Sequence, residues 1–153
     1  MPPKTLYTRL AGHDIHDLVP VLHSERVYSF IGGMPSEHDF IAGLTKAISG
    51  PPEGRSGEHW IDYVARLADT GEIIGTVAAT VHDNLAEVAF LYAPSVWGKG
   101  YALEGLLWLH EHLRDYNEVT ALWATSHPEN HRSANLLRRA GYAEVTASAL
   151  PLT

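Results

Sequence analysis

Regular spacing of apolar residues predicts a strand followed by two helices in the first third of the chain. Residues 6–10 alternate as a strand does, and residues 14–28 carry apolar side chains at helical spacing, with Asp14 as a candidate N-cap. A second helix is predicted over residues 35–48, where Ser36 can cap the first turn and one face is apolar. That apolar face requires a sheet to pack against.

The middle of the chain changes to the alternating pattern of strands. Residues 60–67, 73–81 and 86–92 are predicted as three strands, separated by two short polar turns. Strands joined by such short turns pair with their neighbours in opposite directions. This part therefore predicts an antiparallel meander.

Helical spacing returns after the meander. Residues 103–113 form one predicted helix, and residues 119–125 read as a buried strand. A further helix begins at Glu129 or Asn130 and is stopped by Gly141, a residue type typical of the position just after a helix. A helix between two strands returns the chain in the same direction, so the sheet is predicted to be mixed.

Two short final strands, at residues 142–145 and 147–152, complete the predicted order β-α-α-β-β-β-α-β-α-β-β. This is an α/β fold, with a mixed and mostly antiparallel sheet flanked by helices. The Gly- and Pro-rich residues 49–57 are predicted to form a loop. A linker between two domains is the alternative, but neither side is large enough to fold alone. Residues 1–153 are therefore expected to form one domain.

Composition and charge narrow the classes of function. The 153 residues are 45% hydrophobic and 19% charged, as in a globular protein, and no apolar stretch is long enough for a transmembrane helix or a secretory signal. A cytoplasmic location is expected. The net charge of −7 disfavours nucleic acid and anionic membranes; it mildly favours a cationic partner, although acidity for solubility alone is the simpler explanation.

The absence of cysteine removes thiolate chemistry from the candidates. Disulfides, thiolate nucleophiles and covalent thioester intermediates are all excluded, so any acyl transfer must be direct. The ten histidines do not predict a metal site, because His110 and His112 point to different faces of their helix and zinc needs three or four converging ligands.

A glycine turn between a strand and a helix is the most informative motif. Gly98 and Gly100 precede the helix that begins near Ala102, where backbone N–H groups and the helix dipole favour a phosphate. The Walker pattern does not fit, and the dinucleotide fingerprint would need glycine in place of Leu103. By itself, the turn is either a phosphate cradle of another kind or only a connection between the strand and the helix.

With its flanks, this turn resembles the pyrophosphate loop of the GCN5-related N-acetyltransferases (GNAT), closest to the branch with the ribosomal-protein N-terminal acetyltransferases. The loop is Pro-Ser-Val-Trp-Gly-Lys-Gly-Tyr-Ala at residues 94–102. Residues 128–133, Pro-Glu-Asn-His-Arg-Ser, and residues 136–142, ending in Gly-Tyr, are similar to a later motif of that branch, and residues 73–76 to its third strand. The resemblance covers residues 60–145, with a looser fit over 6–48.

The resemblance implies an acetyl-CoA site in a splayed gap between the strands that end near Tyr92 and Thr125. Backbone groups of Leu91 and Tyr92 would hold the pantetheine arm, and Asn130 would either bind the amides of the cofactor or only cap its helix. The pyrophosphate would lie on the loop formed by Trp97, Gly98, Lys99, Gly100, Tyr101 and Ala102.

Two positions depart from the pattern of the family. Ser95 replaces the usual leading Gln or Arg of the loop, which removes a side-chain contact but keeps the backbone donors. Leu137 stands where many relatives carry the tyrosine that protonates the leaving thiolate. The role of general acid is therefore vacant or passes to another group.

Glu87 is the candidate base, because an acceptor ammonium must lose a proton before it attacks a thioester. It is the one carboxylate in an apolar strand, at a position where the resemblance places an acid or base. The structural alternative is a solvent-facing carboxylate, or one paired with Arg66. Ser133 is the candidate acid, with a first-turn hydroxyl bonded to backbone as its alternative; Tyr92 and Tyr101 are further hydroxyls nearby.

The acceptor is expected to be an amine, either a protein N-terminus or a small molecule. By analogy with the fold, residues 28–34, 59–60 and 147–152 would form its pocket, with Tyr28, Phe30 and Trp60 as substrate-binding residues. The alternative function is a non-catalytic acyl-CoA-binding module. The oligomeric state, monomer or homodimer, stays open.

Overall fold

The computed structural model describes residues 4–52 and 57–145. They form five strands and four main helices in the order β-α-α-β-β-β-α-β-α. The strands are β1 (Thr5–Arg9), β2 (Glu58–Leu67), β3 (Ile73–His82), β4 (Leu85–Tyr92) and β5 (Ala121–Trp123); the helices are α1 (Gly12–Leu22), α2 (Glu37–Ser49), α3 (Tyr101–Asn117) and α4 (His131–Arg139). A single 3₁₀ turn, Pro94–Val96, precedes α3.

The five strands form one mixed sheet in the order β1-β2-β3-β4-β5. The first four pair antiparallel, as the short polar turns predicted, and β5 lies parallel to β4. A parallel neighbour needs a crossover, which α3 provides. The predicted meander and the predicted mixed sheet are both confirmed.

Helices cover both faces of the sheet. On one face, β1 to β3 bury Leu10, Val64 and Ile73 against α1 and α2. On the other, α3 packs a leucine at nearly every turn onto β3 and β4, and α4 adds Leu137. Alternate residues of a strand point to opposite faces, so the two cores share the same strands.

The helix α1 differs from its prediction at both ends. It begins at Gly12, and Asp14 is not the N-cap but its third residue: the buried carboxylate accepts the Ala11 N–H at 2.9 Å and forms an ion pair with Arg66 on β2. The helix stops at Leu22, where the Ser24 hydroxyl accepts the Val27 N–H and starts a separate turn. The helix α2 follows its prediction, with the Ser36 hydroxyl accepting the Asp39 N–H at 3.0 Å.

The final third keeps the predicted elements but shortens them. The strand β5 has only three residues, because the Val119 N–H turns back to the Leu113 carbonyl at the end of α3. Residues 142–145 form no strand in the part of the chain that the structure describes, since the Tyr142 N–H closes α4 on Leu137 at 2.9 Å. The predicted strand at 147–152 lies outside the described residues.

The registers of the last two helices are partly as predicted. Helical spacing predicts that Leu106 and Leu136 both face the sheet. Leu106 of α3 does so and is fully buried. In α4 the buried leucine is Leu137, whereas Leu136 is only half-buried, because one helical residue turns the side chain by about 100°. No helix among the described residues has the length and apolarity to span a membrane.

Replacing Leu106 by alanine should lower the free energy of unfolding by about 2–5 kcal/mol, because the cavity it leaves is enclosed by the sheet. Leu107 is the matched control: it is the next residue of the same helix and is 46% exposed, so Leu107→Ala should change stability little. Urea denaturation of both variants measures the difference. Equal losses at the two positions would contradict the register of α3.

Candidate functional site

The sheet opens between β4 and β5. The two strands pair over only three residues each, Leu85–Glu87 against Ala121–Trp123, and β4 then continues alone to Tyr92. Beyond Glu87 this side of β4 therefore faces a gap instead of a strand. The gap lies where the cofactor was predicted, between the ends of these two strands.

The backbone of β4 presents alternate residues to the gap. The Ala93 N–H donates to the Ile74 carbonyl of β3 at 2.9 Å, so residues 93 and 91 direct their backbone groups to β3, and residues 92 and 90 direct theirs to the gap. Of the two predicted pantetheine-binding residues, Tyr92 lies at the gap and Leu91 faces β3. Phe90, which was not among the predicted residues, is the second residue whose backbone faces the gap; counting from Tyr92 by twos would have found it.

The turn before α3 has the conformation of an anion cradle. Gly98 and Gly100 have φ values of 77° and 87°, and a Cβ at either position would meet no atom within 4 Å. Gly100 is the N-cap of α3 and supplies no side chain to the first turn, so the N–H groups of Tyr101 and Ala102 lack intrahelical partners. The predicted loop residues thus surround an open, donor-rich space.

Trp97 closes one side of this cradle. Its indole N–H donates to the Tyr92 carbonyl at 2.8 Å, which satisfies a backbone group at the gap. Two guanidinium groups approach the indole ring: the Arg132 Cζ lies 3.4 Å from the ring centroid and the Arg26 Cζ lies 5.2 Å from it. Neither arginine was among the predicted site residues, because each is far from Trp97 in the chain.

Asn130 and Ser133 lie at the start of α4, on the β5 side of the gap. The Asn130 side-chain oxygen accepts the Ser133 N–H at 3.2 Å, so this asparagine caps the helix. Its amide N–H₂ and the Ser133 hydroxyl have no hydrogen bond to other described residues, which leaves both for a ligand.

Glu87 lies at the inner end of the gap, as the last residue of β4 that pairs with β5. Its side chain is half-buried on the α2 face of the sheet, in one row with Trp60 and Thr80. The proposed pairing with Arg66 does not occur, because Arg66 binds Asp14. Glu87 borders a cavity of about 220 Å³ under α2, lined by Ala47, Trp60, Asp62, Ala78, Ala79, Thr80, Glu87 and Ala89.

Asp62 is a second carboxylate in that cavity. Burial raises the pKa of Asp62, and the positive charge of Arg9 opposes the shift. Asp62 lies two residues from Trp60 on the same strand, and the period of two would have placed both on the same face. The cavity therefore combines two carboxylates, an indole and a floor of small residues.

The predicted acceptor residues do not all converge. Trp60 lines the cavity with Glu87, and Lys46 of α2 lies over its ring at 6.0 Å. Tyr28 packs instead against the α1 core, where burial raises its pKa. Phe30 contacts the His127 ring with 5.3 Å between centroids, which joins the segment after α1 to the one after β5 across the mouth of the gap.

Other candidate groups lie elsewhere. The Tyr92 hydroxyl is buried under α3 beside Gly105, and burial raises its pKa strongly, so this hydroxyl is on the face away from Glu87. A larger cavity, of about 1160 Å³, lies along α3 and contacts none of the predicted site residues. Among the described residues, no group of three or more His, Asp or Glu side chains is placed to hold a metal ion.

The model of the family described as "Acetyltransferase (GNAT) domain" matches residues 6–143. A search of curated proteins finds no match.

Solved structures of the same fold include three informative relatives. An acetyltransferase of Salmonella typhimurium that modifies the N-terminal serine of ribosomal protein L7/L12 has a TM-score of 0.77 at 12% identity, covering 92% of this chain and 81% of its own. An aminoglycoside acetyltransferase in complex with coenzyme A has a TM-score of 0.71 at 22% identity, covering 91% and 84%. A spermidine N-acetyltransferase chimera from Vibrio cholerae and hSSAT has a TM-score of 0.75 at 15% identity, covering 94% and 83%.

Asp62→Asn should raise the free energy of unfolding at pH 7. Because burial raises the pKa of Asp62, the folded state favours the protonated acid over the charged carboxylate. The stability gained from the protonated acid is fully present below the unfolded pKa of about 3.9 and is lost as pH rises through the folded pKa. The gain should therefore shrink as the pH falls towards about 4. Urea denaturation across this range tests it, with the exposed turn variant Asp69→Asn as control. A variant less stable than the parent at pH 7 would contradict the prediction that the charge of Asp62 destabilises the folded state.

Proposed function

This chain belongs to the GNAT acetyltransferase family, and on that premise we propose that it transfers an acetyl group from acetyl-CoA directly to an amine. The gap between β4 and β5 is the observation that carries the proposal. It joins the glycine turn before α3 at one end to Glu87 at the other. The five residues of β4 that pair with β3 but not with β5, residues 88–92, span roughly 17 Å at the rise of a strand, which suits an extended pantetheine arm.

The two ends of the gap differ in chemistry, as the two ends of the cofactor do. The open cradle at Gly98 and Gly100 suits the pyrophosphate, and the gap-facing backbone of Phe90 and Tyr92 suits the amides of pantetheine. Asn130 would contribute its unused amide N–H₂ from the opposite side. The thioester would then lie near the inner end of the gap, beside Glu87.

The acceptor would reach the thioester from the α2 face, through the cavity that Glu87 borders. The nitrogen attacks the thioester carbonyl carbon, Glu87 takes the proton of the amine directly or through water, and the C–S bond breaks as the acyl group moves. The leaving thiolate needs a proton, for which the Ser133 hydroxyl at the start of α4 is the proposed donor. The serine regains its proton from water, and Glu87 releases the proton it took to solvent. No covalent enzyme intermediate is formed in this scheme.

The acceptor class rests on the relatives and on the cavity. The relatives modify a protein N-terminal serine, an aminoglycoside or spermidine, all of which present amines. The carboxylates of Glu87 and Asp62 favour a cationic acceptor of this kind. The alternative function is an acyl-CoA-binding module without turnover. Leu137 supports it, because this buried leucine stands where many relatives carry a tyrosine that acts as the acid.

Release of CoA thiol with a panel of amines separates the two functions. The panel contains a peptide with an N-terminal serine, spermidine and an aminoglycoside. Turnover with any of them supports the transferase, whereas CoA binding without thiol release from any amine supports the binding module.

Glu87→Gln should lower kcat by about 10²–10⁴-fold while acetyl-CoA affinity is kept, because the amide has the same shape but cannot take a proton. The variant should also lose the limb of the pH–rate profile that reports the base. Glu72→Gln, the same substitution in an exposed turn, is the control and should leave kcat unchanged. A small loss with an unaltered pH profile would mean that the amine loses its proton to solvent and that the enzyme acts by positioning.

Gly100→Ala should weaken CoA binding, because the added Cβ enters the space reserved for the phosphates. The same substitution also strains a backbone with a φ of 87°, which costs about 1–2 kcal/mol of stability. Gly71 has a φ of 76° in the β2–β3 turn with equal space around it, so Gly71→Ala shares the strain but not the site. Calorimetry should find CoA affinity lowered in the first variant alone; similar affinity in both would place the phosphates elsewhere.

A further inference from the structure

Three segments that are distant in sequence meet at the indole of Trp97. Arg26 comes from the turn after α1, Trp97 from the turn before α3, and Arg132 from the first turn of α4. The indole N–H is bonded to the Tyr92 carbonyl, so the ring has a fixed orientation at the edge of the gap. Two cationic side chains are thereby held against one aromatic ring beside the glycine turn.

Among the residues that the structure describes, no carboxylate balances the charge of either arginine. Within residues 4–52 and 57–145, neither arginine forms an ion pair, although the chain as a whole has a net charge of −7. Burial, and after it the positive charge of Arg26, lowers the pKa of Arg132. Two guanidinium groups that repel each other lie at the same ring, and an anion bound beside them would reduce the repulsion.

The two arginines lie close to the position where the loop differs from related loops. Ser95 stands where the related loops begin with Gln or Arg, so the loop lacks a side-chain contact to the phosphates. The two arginines lie against Trp97, two residues further along and next to Gly98. They supply positive charge to the cradle from outside the loop.

We propose that Arg26 and Arg132 form an anion site for the diphosphate of coenzyme A, in place of the side chain that Ser95 lacks. The guanidinium group matches phosphate oxygens with paired N–H donors, and stacking on the indole orients its plane before the ligand arrives. The inference rests on the proposed function, because it names the side chains that hold the cofactor. It adds a binding residue from the segment after α1, which lies far from the loop in the sequence.

Arg26→Met and Arg132→Met test the proposal, since methionine keeps an unbranched chain against the indole and removes the charge. Calorimetric titrations use CoA and pantetheine, which lacks the phosphates. Each variant should raise the Kd for CoA by about 10- to 100-fold, the range for a hydrogen bond to a charged group, and leave the Kd for pantetheine unchanged. Arg139→Met, on the exposed last turn of α4, is the control and should change neither.

The outcomes separate this inference from the proposed function. Unchanged CoA affinity in both variants, or an equal loss for CoA and pantetheine, would overturn the anion site while leaving the acetyl-CoA site intact. If the parent protein binds no CoA, the proposed function fails, and inorganic pyrophosphate then tests the arginines alone. Pyrophosphate binding that is lost in both variants would keep the anion site; binding that is absent or independent of the arginines would reject it.

Discussion

The loss of pairing between β4 and β5 after Glu87 is the constraint on which the site depends. Backbone N–H and C=O groups in the middle of a sheet must find partners, since leaving them buried and unbonded is costly. Here the Trp97 indole satisfies the Tyr92 carbonyl, and the other gap-facing groups of β4 would bond the proposed cofactor. The fold thus presents a ready row of backbone donors and acceptors, while β3 and α3 hold β4 in place from its other sides.

The same opening separates the two proposed ligands onto different parts of the molecule. Cofactor groups would approach from the end where β4, α3 and α4 meet. This end carries the helix N-terminus and two arginines that form no ion pair with another described residue. The acceptor would approach from the α2 face, where Glu87 and Asp62 make the cavity acidic. In this proposal, a positive region for the phosphates and a negative one for the amine would be kept apart by the strand between them.

Stability and function place different demands on the charged residues. The buried Asp14 is fully used: it accepts the Ala11 N–H and binds Arg66, which fixes α1 on the sheet. Asp62, Arg26 and Arg132 make no such ion pairs within the described part of the chain, and burial opposes the charge of Asp62 and of Arg132. Charges that the fold does not need for its own stability thus lie beside the gap and the cavity, where a ligand can compensate them.

The sequence alone determined the elements whose causes are local. Strand segments joined by short polar turns predicted the meander, the Ser36 cap predicted the start of α2, and the glycines predicted an open turn before α3, because each depends on residues a few positions apart. What only the tertiary structure decided depends on pairing and packing between distant segments. The role of Asp14 required Arg66 on β2, and the inward turn of Leu137 required the register of α4. The orientation of Leu91 towards β3 required its pairing with Thr76, in the register set by the Ala93 N–H on the Ile74 carbonyl. Strand order and helix placement bring Arg26 and Arg132 to Trp97, and Asp62 to the cavity that Glu87 borders. A pattern along the chain cannot show this, because it records spacing and not which distant residues the folded chain brings together.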